Sequence, residues 1–344
     1  MQLGKIKEAQ AISPDYYMVP PIDRRLTVES DRFSELSNMF AQAGNLERAL
    51  EYALRCADIE KQVAGKEHIW YGNSTIIIGN LYYALGDSIN AEENYLINKN
   101  ICKHTYGEYS ERYVDALLSL ASVNTDFSMK DGLDKATRYL DEAYSIAHKR
   151  YPLLEAQIVN QQSVIAFRNK NYEQAKTLMM QALSLCELAE GKTSNNYEIL
   201  LSNTIDLYQM FGQYDEAITL GQDFLEACNQ ANRSDSIPAF IMVKISQANI
   251  AKGDINNALV QIEKAENIMR QYGTAKVDYI NILGIMSTIY SNAGNKQKAI
   301  SLNSKVLEFY EKKGWLQEIS YIAALNNQAQ LFTDIGDYAG AVQL

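Results

Sequence analysis

The residues best suited to chemistry are few. Three histidines, four cysteines and one Gly-Lys-Thr run are the main candidates for metal binding, nucleophilic catalysis or phosphate binding. A zinc site gathers three or four His, Cys or carboxylate ligands, commonly paired a helical turn apart. His68, His104 and His148 have no second histidine or cysteine three or four residues away. They read as packed or solvent-facing side chains. Gly191–Thr193 ends like a phosphate-binding loop, but that loop needs a glycine five residues before Gly191, and Cys186 stands there. No G-x-S-x-G, H-E-x-x-H or calcium-loop pattern occurs. The expectation is a chain with no catalytic residues, no metal site and no cofactor, hence not an enzyme.

The elements that position these residues are set by a repeat. A Gly-x4-Ala pattern recurs at Gly44–Ala49, Gly86–Ala91, Gly212–Ala217, Gly253–Ala258, Gly294–Ala299 and Gly336–Ala341. Two further copies keep the alanine without the glycine five before it: Lys170–Ala175 and the stretch around Gly132–Ala136. The eight alanines are 41 or 42 residues apart, except for one interval of 45 followed by one of 39. The third copy thus carries about three extra residues before its alanine. Apolar residues flank each turn with helical spacing, Ile78, Leu81, Tyr82 and Leu85 before one turn and Ala91, Tyr95 and Ile101 after it. Each unit therefore reads as two helices joined by a tight turn. The glycine suits a left-handed backbone that closes the first helix, and the alanine a close helix–helix contact. Only 5 prolines and 18 glycines in 344 residues also favour long helices over many strands. Cys102, Cys186 and Cys228 each lie 11 residues after their repeat's alanine and Cys56 seven after, which predicts small buried side chains. Tyr82, Tyr208 and Tyr290 fall four before their turn glycines, with Phe40 and Phe332 in the same register, which predicts core packing.

LYYALGDSINAEENY and LYQMFGQYDEAITL carry the aromatic, glycine and alanine anchors of the tetratricopeptide repeat (TPR) family, and the chain resembles that family over about residues 30–344. The usual period is about 34 residues. The longer unit here resembles the kinesin light chain type, as GKEHIWYGNSTIIIGNLYYALG and YGEYSERYVDALLSLA show. The resemblance implies an all-α fold, a right-handed superhelical solenoid of antiparallel helix hairpins, with first helices on the concave face. Gln162, Thr204 and Gln328 replace usual apolar residues, which predicts looser interfaces there. Residues 30–344 make eight repeats, the last incomplete. Residues 1–29 form an N-terminal segment in which Gly4–Ala9 fits the same pattern, a remnant of a preceding repeat, before Pro14, Pro20 and Pro21 break the helix.

Subtracting the core leaves one polar signal. Six residues before the turn anchors stand Asn38, Asn80, Ser122, Val164, Asp206, Gln247, Thr288 and Gln330. Three residues earlier stand Glu35, Ile77, Ser119, Gln161, Asn203, Lys244, Ile285 and Asn327. A step of three keeps both rows on one helix face, and Asn160, Ser202 and Asn326 adjoin them. In the resembled family this face lines the groove. An amide side chain donates and accepts, so it can hold the peptide bonds of an extended chain without reading its sequence. The expected partner-binding residues are Asn80, Ser119, Asn160, Gln161, Asn203, Asp206, Lys244, Gln247, Asn326 and Asn327. Lys244 is the one basic residue of the two rows, which argues against a clamp for a terminal carboxylate.

Acids outnumber bases 42 to 32, a net charge of −10, which disfavours a nucleic-acid partner. No apolar run reaches the roughly 18 residues of a membrane span, and the first residues show no signal peptide, so a cytoplasmic protein is expected; the resemblance to long-repeat arrays implies a bacterial one. The leading function is a scaffold that binds a peptide or protein segment. The alternative is the sensor arm of a larger effector, since bacterial arrays of this type resemble those placed before CHAT-type caspase-like protease domains. In that case a covalently linked downstream domain is missing from this chain. Peptide-pheromone receptors of the Rap group share the repeats, but residues 1–29 are too short for their N-terminal domain.

Overall fold

The computed structural model describes residues 24–127, 131–233, 235–274 and 276–343. Among them the secondary structure is all α-helix. The first helices of the hairpins are α1 (Arg24–Gln42), α3 (Ile69–Ala84), α5 (Glu111–Asp126), α7 (Pro152–Arg168), α9 (Asn195–Met210), α11 (Ile237–Lys252), α13 (Val277–Asn292) and α15 (Ile319–Asp334). The second helices are α2 (Leu46–Val63), α4 (Ser88–Tyr106), α6 (Gly132–Ala147), α8 (Tyr172–Glu190), α10 (Tyr214–Gln230), α12 (Ile255–Tyr272), α14 (Lys296–Lys313) and α16 (Tyr338–Val342). The chain divides into two compact units, residues 1–178 and 179–344. Each is a run of such hairpins, the all-α solenoid expected from the repeat. The remnant repeat expected at Gly4–Ala9 lies outside the described residues.

The turn explains the repeat's punctuation. All six glycines of the Gly-x4-Ala pattern have φ between 72° and 88°. Where the pattern lacks glycine, Asp131 and Lys170 take the same left-handed backbone, with φ 59° and 63°. The eight turns are therefore one structure built from different residues. The next residue caps the second helix in most copies. Asn45, Asp87, Asp254, Asn295 and Asp337 each accept a hydrogen bond from the backbone N–H three residues on, which satisfies one of the free donors at a helix start.

Close approach of the two backbones explains the alanine. The seven alanines from Ala49 to Ala299 have no exposed surface. Ser37, Ser246 and Ser287 on the first helices donate to the carbonyl oxygens of Ala49, Ala258 and Ala299 at 2.8–2.9 Å. Gly79 takes the corresponding place in the second repeat, where a Cβ would come within 2.5 Å of the Tyr95 ring. Larger residues on either side would push the helices apart and break these bonds.

Each unit has its own core. In the first, Ile78 and Leu81 pack with Ala49 and Ala53, and Val114, Leu117 and Ile158 pack with Ala136 and Leu140. In the second, Ile262, Leu283, Ile289 and Val306 lead a core that runs from Ala239 to Leu331. Phe40 and Tyr82 are half-buried against the first core, and Tyr290 is buried in the second. Two of the three polar replacements do not loosen their interfaces. Thr204 is buried and donates to the Leu200 carbonyl at 2.7 Å, a bond that its own helix supplies. Gln328 is buried, accepts from Asn303 Nδ2 at 2.8 Å and donates to Ser304 at 3.2 Å. Gln162 alone borders open space, a recess of about 310 Å3 that it shares with Asp141, Asn169 and Gln174.

Candidate functional site

The chemistry-bearing residues of the first search are absorbed by the fold. His68 Nδ1 accepts from the Trp70 backbone N–H and so caps α3. Ser110 and Ser194 cap α5 and α9 in the same way, onto Tyr113 and Tyr197. The Gly-Lys-Thr run is the link before that last cap, with Gly191 left-handed at φ 87° after α8. His148 Nδ1 lies 2.8 Å from Glu155 Oε1. Cys56, Cys102, Cys186 and Cys228 are buried free thiols whose pKa burial pushes up, so the reactive thiolate is disfavoured. Among the described residues no group of three or more His, Cys, Asp or Glu is placed to hold a metal ion. No helix among them is long and apolar enough to cross a membrane.

The ten expected partner-binding residues are all reachable from solvent. Asn80, Asn203, Asn326 and Asn327 are exposed, and Ser119, Asn160, Gln161, Asp206, Lys244 and Gln247 are half-buried. In the first unit Asn80 Oδ1 accepts from the Tyr95 hydroxyl at 2.8 Å, and Ser119 donates to the Asp115 carbonyl. Gln161 reaches from α7 to α5, donating to Ser122 at 2.9 Å. Asn160 Oδ1 and Gln161 Oε1, adjacent on α7, are buried acceptors with no partner. In the second unit Lys244 Nζ holds both carboxylate oxygens of Asp206, at 2.6 and 2.7 Å, bridging α11 to α9. The row's one basic residue is thus neutralised within its own face. Asn203, Gln247, Asn326 and Asn327 make no side-chain hydrogen bond to the described residues, which leaves their donors and acceptors to solvent or a ligand.

A third row on this face escaped the sequence reading. Four residues before the second row stand Asp31, Asn73, Asp115, Gln157, Ile199, Phe240, Asn281 and Ala323, a step that also keeps to one face. Its members are exposed or half-buried, and Ile199 is 55% exposed despite its size. The same repeat register would have revealed it. The three rows differ between the units. Those of the first hold Asp31, Glu35 and Asp115 and no basic residue. Those of the second hold one charge of each sign, Asp206 and Lys244, paired to each other, among amides and apolar residues.

First helices also pack on first helices: α5 on α7, α9 on α11 and α13 on α15. Among the described residues no such packing joins α2 to α4, α4 to α6, α10 to α12 or α12 to α14.

Hairpins that share one turn, one close-contact alanine and one layered face define a helical-repeat protein. Sequence models of the tetratricopeptide repeat match residues 31–69 and 154–230, so these stretches carry tetratricopeptide repeats. No curated protein sequence matches the chain. Solved structures do, at low identity, and show the fold. Yeast Tom70 is 16% identical with a TM-score of 0.59, over 86% of this chain and 54% of that one. A STAND signal-transduction ATPase from Pyrococcus horikoshii, with a tetratricopeptide repeat sensor, is 15% identical with a TM-score of 0.56, over 90% of this chain and 50% of that one. A Rap protein complexed with Competence and Sporulation Factor is 12% identical with a TM-score of 0.53, over 90% of this chain and 76% of that one. The chain thus spans about half the length of the first two.

Proposed function

We propose that the chain is a protein-interaction scaffold, cytoplasmic and without catalysis of its own, that holds an extended protein segment along the first helices of each unit. The observation that carries this is the state of the three rows. They run along first helices, remain accessible, and are rich in amides, and the side chains of Asn203, Gln247 and Asn327, with the adjoining Asn326, make no hydrogen bond to the described residues. The packing of α5 on α7, α9 on α11 and α13 on α15 supports the reading that this face is the inside of the curve within each unit. A concave surface lined with unpaired amides suits main-chain N–H and C=O groups. Unit 1 adds Asp31, Glu35 and Asp115, which attract basic side chains. Unit 2 adds Ile199 and Phe240, which attract apolar ones.

The test is selection of binding peptides from a displayed random library on the whole chain. Bound peptides should lose at least tenfold in affinity on the variant Asn160→Ala, Asn203→Ala, Asn327→Ala, with the helical circular dichroism unchanged. Peptides that bind this variant as well as the parent would refute the reading. A second reading follows the Pyrococcus protein, whose repeats are a sensor: here too the array would be the sensor arm of a larger effector, such as a CHAT-type protease. The native size of the protein in its source cells, by immunoblot, separates that reading from a stand-alone scaffold of 38.8 kDa.

A further inference from the structure

One place on this face is shaped for a particular side chain. Between α13 and α15, with α14 behind them, lies a recess of about 300 Å3. Its first-helix walls include Ile285 and Asn327 of the rows above and the adjoining Gly284, and its back comes from Asn303, Val306 and Tyr310 of α14. No charged side chain lines it. A smaller recess of about 90 Å3 continues it past Thr288 and Asn327, again without a charge.

Two observations point to an occupant. The first is Gly284. The corresponding residues of the other repeats are Ser34, Ile76, Leu118, Asn160, Ser202, Val243 and Asn326, none of them glycine. Gly284 sits inside a helix with ordinary right-handed backbone, and a Cβ there would meet nothing within 4 Å. Glycine is a poorer helix residue than any of those seven, and here neither backbone nor packing requires it. What its missing side chain provides is the open recess. The second is Asn303. It has no exposed surface, and both hydrogens of its amide are used, on the Ala324 carbonyl at 2.7 Å and Gln328 Oε1 at 2.8 Å. Its Oδ1 is buried with no partner. A buried acceptor left unpaired is unfavourable, and the group that would complete it is a hydrogen-bond donor arriving through the recess. Walls of Ile280, Ile285, Val306 and Tyr310 interspersed with neutral polar side chains, a buried unpaired acceptor on the α14 side and no charge match a ring with a neutral O–H at its tip.

We propose that this recess is a subsite for a tyrosine side chain of the bound segment, its ring against Ile285, Val306 and Tyr310 and its hydroxyl donating to Asn303 Oδ1. The subsite rests on the segment-binding reading above and adds a specificity to it. N-acetyl-tyrosine amide and N-acetyl-phenylalanine amide test it on the whole chain, by amide chemical shifts in nitrogen-15 correlation spectra. The tyrosine amide is expected to shift the Gly284 backbone and Asn303 side-chain signals and to bind at least tenfold tighter than the phenylalanine amide. Gly284→Leu, which fills the recess, is expected to abolish both while the melting temperature holds or rises. Gly284→Ala, the milder variant should leucine distort the helix, is expected to raise the melting temperature and weaken the tyrosine amide at least threefold. Equal binding of the two amides, or tyrosine binding that survives both variants, would overturn the subsite. If display-selected peptides still depend on Asn203 and Asn327 while the tyrosine amide does not bind, the subsite falls and the segment-binding reading stands. If the selected peptides are indifferent to those residues as well, both fall.

Discussion

Lys170 occupies a turn position that glycine holds in six other repeats, and replacing it should strengthen the protein. Its φ is 63°, a backbone that places the Cβ of an L-residue against its own carbonyl, at roughly 1–2 kcal/mol. The side chain is exposed, so Lys170→Gly removes no buried packing. The turn's own bonds, Lys170 N–H to the Phe167 carbonyl at 2.8 Å and Asn171 N–H to the Ala166 carbonyl at 2.9 Å, survive the change. Against the relief stands the greater freedom of glycine in the unfolded chain, about 0.4–1 kcal/mol. The balance is a gain of about 0.5–1 kcal/mol. For a cooperative unit of under 200 residues that raises Tm by about 1–4 °C. The opposite change in the other unit, Gly212→Ala at φ 72°, should lower stability by about 1 kcal/mol. Calorimetry and urea unfolding followed by circular dichroism measure both, with m compared because repeat arrays can unfold in parts. An unchanged or lower midpoint for Lys170→Gly, at constant m, would refute the account of the turn.

Ala217→Leu should overpack the fully buried contact between α9 and α10 and destabilise by about 1–3 kcal/mol, seen as a lower midpoint in urea. Burial pushes the phenols of Tyr95 and Tyr197 up to about 12. Their contribution is therefore complete below pH 10, the ordinary phenol value, and is lost between pH 10 and 12 at roughly 1.4 kcal/mol per pH unit each; alkaline titration at 295 nm should find a late-ionising group of phenols that includes these two along with Tyr83 and Tyr113, whose pKa burial and a carboxylate partner also push up, and loss of the Tyr95 and Tyr197 amplitudes from that group on Tyr→Phe replacement checks it. The four thiols should react with a disulfide reagent only after unfolding, and fast labelling of the native chain would place them at the surface. Peptides selected on the whole chain should include basic ones whose affinity falls with added salt, and Asp31→Asn, Glu35→Gln, Asp115→Asn together should flatten that dependence; an unaltered salt slope would show that these carboxylates face no ligand.

The hairpin architecture was legible because it is repeated. One alanine says little, whereas eight at a nearly constant interval identify the closest contact between two helices. The left-handed turn was legible only where glycine marks it. Lys170 adopts the same conformation, yet lysine carries no such signal, and only the register of Ala175 implies it. Thr204 and Gln328 were read as weak points because polarity was taken for a loss of packing. Threonine instead returns its hydroxyl to the carbonyl one turn back, and Gln328 finds Asn303 across the interface, a pairing between residues 25 apart that no local pattern announces. The third row of the face was missed for a plainer reason: its members share no chemistry, running from Asp31 to Phe240, and a search for polar residues passes over Ile199.

That heterogeneity separates the part of this sequence set by the fold from the part left for function. The alanine positions, the turn and the small first-helix residues opposite the alanines hold the same kinds of residue in almost every copy, since each copy solves the same packing problem. The three accessible rows are less constrained by packing, with Ile77, Phe240 and Ile285 the members that lie against the cores, and there the copies diverge: carboxylates in the first unit, and a self-neutralised ion pair with apolar and amide residues in the second, beside a single helical glycine at Gly284. If those positions were only solvated surface, stability would favour good helix formers such as Lys, Glu and Ala at most of them. Of 24 positions in the three rows, seven are of that kind once glutamine is counted, Glu35, Gln157, Gln161, Lys244, Gln247, Ala323 and Gln330, while Asn, among the weaker helix formers, recurs from the first repeat to the last. A stack of hairpins that retains poor helix formers on one face, and there only where packing does not ask for them, is arranged for contacts that its own chain does not supply.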